Sequence, residues 1–146
     1  MNVPAMSLFV AISELFVTAA IFYVILSNLR GRPLAWKLLS LTLAYELLVN
    51  MNYMIRKTAS MRAMAAGEAP ASEALSPAMT AFAAAHGIFS LLMFLALLGV
   101  SALAIGHMRR GKNYFQERPR LAIGFLVLWT ISVLSGEVFF VLRHLA

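Results

Sequence analysis

Four long apolar runs alternate with short polar segments along the chain. The runs cover approximately residues 3–26, 34–55, 78–106 and 121–142. A helix needs about 20 apolar residues to cross the hydrocarbon core of a bilayer, and each run is long enough. Because backbone groups in lipid must be satisfied within their own segment, the runs predict helices. Short connections favour antiparallel neighbours, so we expect an all-α, up-down four-helix transmembrane bundle in a single domain over residues 1–146.

Basic residues cluster at the ends of these runs and predict their orientation. The first and third connecting segments, with their flanks, carry Arg30, Arg32, Lys37, Arg109, Arg110, Lys112, Arg118 and Arg120. One acidic residue, Glu117, lies among them, whereas the second segment is longer and less basic. The positive-inside rule therefore places the first and third loops in the cytoplasm and both termini on the outer side of the membrane.

The amino-acid composition is typical of a membrane protein. Hydrophobic residues make up 62% of the chain, against about 45–50% in soluble domains. The first run lacks a basic leader and a small-residue cleavage site, so we expect a retained helix rather than a cleaved signal. The absence of cysteine excludes disulfides and thiolate metal sites. The net charge of +6 lies at the helix ends, so it does not indicate nucleic-acid binding.

Polar residues interrupt each apolar run at helical spacing. The four stripes are Ser7, Glu14 and Thr18; Thr42, Glu46, Asn50, Tyr53 and Lys57; Met79, Phe82, His86, Ser90 and Met93; and Thr130, Glu137 and His144. At about 1.5 Å per residue, the ionisable residues Glu14, Glu46, His86 and Glu137 lie within roughly 8 Å of each other in depth. This common depth predicts one polar site in the outer half of the bundle core.

Three glutamates in a membrane need compensation. A charge at the centre of a transmembrane helix costs about 2.5–3.5 kcal/mol on insertion scales. Protonation, pairing with His86 or Asn50, or a metal ion would each offset that cost. As ligands, Glu14, Glu46, His86 and Glu137 suit iron, manganese or zinc, with Asn50 and Tyr53 supporting them. The structural alternative is that each polar residue only hydrogen-bonds a neighbouring helix.

Two other kinds of site fit the predicted topology. Thioether groups favour Cu(I), and the methionines on the outer side that could contact copper are Met51, Met54, Met61, Met64 and Met79. Methionine is also a flexible filler of gaps in apolar cores. Haem is a less favoured cofactor, with His86 and His144 as axial or accessory ligands. The sequence contains no recognisable catalytic motif.

Several segments resemble a known family. They are His86, the loop "RRGKNYFQERPRLA", the segment "LWTISVLSGEVFFVL" with Trp129 and Gly136, and "NYMIRK" with Tyr53 and Arg56. Over roughly residues 34–143 the chain resembles small four-helix bacterial membrane proteins of unknown general function. Some of these support the assembly of haem-copper terminal oxidases. The family carries histidines where this chain has Lys57 and Glu117, and an apolar residue at Glu137, so the resemblance carries over His86 alone.

Three functions follow from these patterns. The first is a membrane protein with a metal or cofactor site in its outer half, accessory to respiratory oxidase assembly and in contact with oxidase subunits. The second is a proton-coupled transporter or proton relay, which requires a homo-oligomer because four helices are few for a lone transporter. The third is a structural subunit of a larger membrane complex.

Overall fold

The computed structural model describes residues 5–65 and 76–144, with the backbone alone at residues 5–7, 50, 53, 54, 56–58, 60–65, 143 and 144. The helices are α1 (Ala5–Leu29), α2 (Trp36–Ala65), α3 (Pro77–Met108), α4 (Tyr114–Glu117) and α5 (Pro119–His144). These described ranges contain helices and turns and no strand, so the predicted all-α class is confirmed.

The exposed surface of the long helices is strongly apolar. Phe16 on α1 is 73% exposed, and Leu41 and Leu48 on α2 are each 68% exposed. Polar side chains such as Asn28 and Glu46 are instead buried. Three helical segments in the described ranges are long and apolar enough to cross a membrane, namely Leu8–Leu29, Pro77–Met108 and Pro119–Leu142. An apolar exterior around buried polar groups is the arrangement of a membrane-embedded protein.

The apolar core lies mainly where α1 and α3 pack against α5. Helix α1 contacts both α2 and α5, and α3 contacts α5. The Trp129 indole of α5 is 4% exposed, and its Nε1–H donates to Thr18 Oγ1 of α1 over 3.1 Å. Phe125 stacks on the same indole with ring centroids 6.0 Å apart. The indole N–H of this large apolar ring thus fixes the relative orientation of α1 and α5.

The same glycine turn ends both α1 and α3. Gly31 has φ +82° and Gly111 has φ +71°, a region that glycine enters without steric cost. After α1, the Gly31 N–H bonds to Asn28 O and the Arg32 N–H to Ser27 O, both over 3.0 Å. This is the Schellman pattern, and the Gly111 turn repeats it. Each turn satisfies helix-terminal carbonyls and reverses the chain at the end of a span.

The helix bounds differ from the predicted ones mainly in α2. This helix continues to Ala65, ten residues past the predicted end, because Arg56–Ala65 is free of glycine and proline. Helix α1 extends to Leu29, where the Gly31 turn ends it. The one-turn helix α4 lies in the third loop and was not predicted. At the start of α3, Ser76 Oγ accepts the Met79 N–H and Pro77 takes the first helical position, a standard capping signal.

Candidate functional site

Two carboxyl groups meet between α1 and α2. The side chains of Glu14 and Glu46 lie close enough to interact with each other, and Glu46 is only 4% exposed. An ionised carboxylate can accept hydrogen bonds but has no proton to donate. Two such carboxyl groups can therefore hydrogen-bond to each other only when one of them is protonated, and the pair then carries one negative charge instead of two.

A third carboxyl group extends this pair towards α5. Glu137 lies close enough to Glu14 to interact with it electrostatically. Helix α1 contacts both α2 and α5, so Glu14 occupies the middle position among the three glutamates. We call Glu14, Glu46 and Glu137 the carboxyl cluster.

An open apolar groove runs between the same two helices. Ser13 and Tyr45, which line it, immediately precede Glu14 and Glu46 in the sequence. The remaining lining residues are Phe9, Phe16, Val17, Ala20, Leu41 and Thr42. The hydroxyls of Ser13 and Thr42 donate to carbonyls of their own helices, Val10 O and Leu38 O, each over 2.9 Å. The groove therefore presents an almost wholly apolar surface beside the glutamates.

His86 occupies a different environment, between α3 and α5. Ser135 Oγ donates to Ser132 O over 2.7 Å, which uses its single proton. The contact of 2.8 Å between His86 Nδ1 and Ser135 Oγ must then be donated by the imidazole. In neutral His86 the proton is on Nδ1, and Nε2 carries the lone pair. Ser90 Oγ lies 3.4 Å from that nitrogen and 3.1 Å from Ser132 Oγ.

Gly136 makes room for the His86 ring. A Cβ atom at Gly136 would lie 3.0 Å from His86 Cε1, closer than ordinary van der Waals contact. Gly136 is one of the residues that carry the family resemblance. In the structure it lets the imidazole lie directly against the α5 backbone.

Gly136→Ala is expected to displace the imidazole of His86 and weaken its bond to Ser135. The matched control is Gly124→Ala, since a Cβ at that α5 position meets nothing within 4 Å. We expect the Gly136 variant to unfold with a free energy about 1–2 kcal/mol below that of the Gly124 variant. Thermal unfolding in detergent and the imidazole NMR shifts of His86 provide the measurement. Equal stability with unchanged shifts would contradict this packing.

The four predicted metal ligands thus fall into two environments. The glutamates form the carboxyl cluster, whereas His86 bonds to serines of α3 and α5. Among the described side chains, no group of three or more His, Cys, Asp or Glu residues is placed to hold a metal ion. The iron, manganese or zinc site stays a prediction that this geometry does not support.

Other predicted site residues lie partly outside the described side chains. This is so for Asn50, Tyr53 and His144, and for the methionines Met54, Met61 and Met64. Of the other two predicted copper contacts, Met51 is 54% exposed and Met79 is half-buried. Copper and haem binding therefore stay predictions.

A hydrogen-bond network joins the end of α1 and the first loop to the third loop, and it was not predicted from the sequence. Asn28 is 1% exposed, and its Nδ2 donates to Arg32 O over 3.0 Å and to Asn113 Oδ1 over 3.2 Å. Its Oδ1 accepts the Phe115 N–H over 3.1 Å, so Asn28 caps α4 from another helix. Asn113 also donates to Gly31 O over 3.3 Å. The available signal was an asparagine beside a glycine turn in each of these loops.

No protein-family model, curated protein or solved structure matches the chain. The resemblance to membrane proteins that support oxidase assembly accordingly stays a prediction, and the function is argued below from the geometry.

Proposed function

We propose that the protein is a four-helix transmembrane bundle that moves protons through its carboxyl cluster. The observation that carries the proposal is the close approach of the buried Glu46 side chain to Glu14. Buried carboxyl groups that share a proton are suited to proton relays in membranes, where ionisable residues are costly and tend to be functional.

Helix α2 supplies the fourth span in this proposal. Between Lys37 and Arg56 its only charged residue is Glu46, which is buried and lies next to Glu14. Large apolar side chains such as Leu41, Leu48 and Ile55 are exposed on the same helix, as expected for contact with lipid. A proton held between the two glutamates limits the pair to one negative charge instead of two.

The basic first and third loops support a cytoplasmic placement of one end of the bundle. The termini and the second loop then lie on the outer side of a bacterial inner membrane. Along α3 and α5, Phe82 faces Phe139 and Ser90 faces Ser132, which is an antiparallel register. This register supports an up-down bundle.

The proposed mechanism follows the order of the three carboxyl groups. Glu46 and Glu14 share one proton, so a proton that arrives at either side chain is passed to the other through a short rotation. Glu14 then exchanges protons with Glu137 on α5. Since the described chain offers few helices for a complete path, we expect the active form to be a homo-oligomer.

Proton flux into vesicles containing the purified protein tests this function. A pH-sensitive dye trapped inside reports acidification after an external pH step, with potassium and valinomycin to compensate charge. Flux above that of protein-free vesicles is the expected result. A monomeric protein with flux equal to the protein-free leak would contradict the proposal.

A metal or cofactor role at His86 is the second candidate, and the lone pair on its Nε2 favours it. An imidazole held through Nδ1–H is the usual arrangement of a ligating histidine, and a ligand at Nε2 would have to displace Ser90 Oγ, which lies 3.4 Å away. A contribution to oxidase assembly, as the family resemblance implies, would then use this residue. Stoichiometric metal in the purified protein that is lost in His86→Ala would support this role, and equal metal content in both would contradict it.

A further inference from the structure

Eight basic residues occupy the end of the molecule where the first and third loops meet. We call this surface the basic platform, defined by Arg30, Arg32, Lys37, Arg109, Arg110, Lys112, Arg118 and Arg120. All eight are exposed, and Glu117 is the single acidic residue in the segments that carry them. The platform thus concentrates two-thirds of the 12 basic residues of the chain.

The two loops are held together by specific bonds. Asn113 bonds to both Asn28 and the Gly31 carbonyl. Tyr114 and Phe115 anchor the third loop in the core, each 2% exposed. The loops therefore cannot separate to relieve repulsion among their positive charges.

The platform lies at the depth of the lipid headgroups. Its loops join the ends of the apolar spans, which finish at Leu29 and Met108 and resume at Pro119. Trp36 is 46% exposed, and Lys37 Nζ lies 5.8 Å from the centroid of its ring. Exposed tryptophan beside lysine is typical of the membrane interface. The anions available at that level are phospholipid headgroups.

We propose that the basic platform binds the phosphate groups of anionic phospholipids in the adjoining leaflet. Basic residues near an anionic membrane surface are attracted to it, and several of them together strengthen that attraction. The platform differs from a flexible basic tail because its two halves are fixed side by side. This site is independent of the carboxyl cluster and goes beyond the proposed proton transfer.

Lipid selectivity of the reconstituted full chain tests the proposal. Spin-labelled phosphatidylglycerol and phosphatidylcholine are compared as probes in phosphatidylcholine vesicles, and the protein-bound fraction of each is measured. The expected preference for phosphatidylglycerol is about fivefold or more, and it falls at high salt. A wild-type preference near one would overturn the proposal without any variant.

Charge-matched variants locate the surface. The platform variant Arg30→Gln/Arg32→Gln/Arg110→Gln/Lys112→Gln is expected to lose most of the preference. The control carries the same charge loss at the four remaining basic residues, Arg56→Gln/Lys57→Gln/Arg62→Gln/Arg143→Gln, and is expected to keep it. Equal loss in both would mean that net charge alone selects the lipid and would overturn the proposal. Displacement of the lipid by millimolar inorganic phosphate would instead indicate a site for a free anion, which also overturns it.

Discussion

Glu46→Gln is expected to lower proton flux through the reconstituted protein about 100-fold. Glutamine has nearly the same size and can still hydrogen-bond to Glu14, but it cannot take up and release a proton. Because Glu46 is buried against α1, solvent offers no ready substitute for its carboxyl group. The measurement is the initial rate of acidification in vesicles with equal amounts of protein.

Glu117→Gln is the matched control for this prediction. Glu117 is an exposed carboxylate on α4, outside the carboxyl cluster, and its change removes the same charge. We expect its flux to equal that of the wild type. A Glu46 variant as fast as the wild type, or a Glu117 variant as slow as the Glu46 variant, would show that protons do not pass through this pair.

Asn28→Ala is expected to lower the free energy of unfolding by about 2–4 kcal/mol. The asparagine side chain makes three hydrogen bonds at the junction of the first and third loops. Alanine would leave the buried Phe115 N–H without the side chain that caps it. Since α4 has no side-chain cap from Asn113, the whole turn would lose its main support.

Thermal and denaturant unfolding in detergent measure this loss. The control is Gln116→Ala, which removes an exposed amide that accepts a single bond from Asn113 over 3.1 Å. Such surface changes alter stability by about 0.5 kcal/mol or less. If the two variants were equally stable, Asn28 would not be the residue that joins the loops.

The long helices were predictable because their signal is local. An apolar run of sufficient length in lipid has few alternatives to a helix, and the Gly31 and Gly111 turns mark two of the ends in the sequence itself. The bounds of α2 were less predictable, since a continuation rich in alanine, arginine and methionine is as helical as the apolar segment before it. The length and apolarity of the predicted span therefore could not show that α2 ends at Ala65.

The partners of the polar residues were harder to predict. Counting depth along the helices brought Glu14 and Glu46 to one level, and the structure joins them. The same count placed His86 with the glutamates, whereas its ring bonds to Ser135. Depth gives only the position of a residue along the membrane normal. Which helix its side chain faces depends on the rotation of α3 relative to α5. The close approach allowed by Gly136 determines that rotation locally.

The hydrogen bond between Asn28 and Asn113 was not predicted because it joins residues 85 positions apart. Each asparagine has an ordinary local explanation beside a glycine turn. Their mutual contact follows only when α1, α3 and α5 have packed and brought the two turns together. Sequence periodicity describes single helices and does not predict a contact between two loops.

The central claim is that Glu14 and Glu46 share a proton within the membrane. Infrared spectroscopy of the purified protein in lipid measures this directly, because a protonated carboxyl group has a carbonyl stretch that an ionised carboxylate lacks. At neutral pH we predict such a band in the wild type, shifted in deuterium oxide and absent from Glu14→Gln/Glu46→Gln. Wild-type protein without that band, or with a band unchanged in the double variant, would contradict the account.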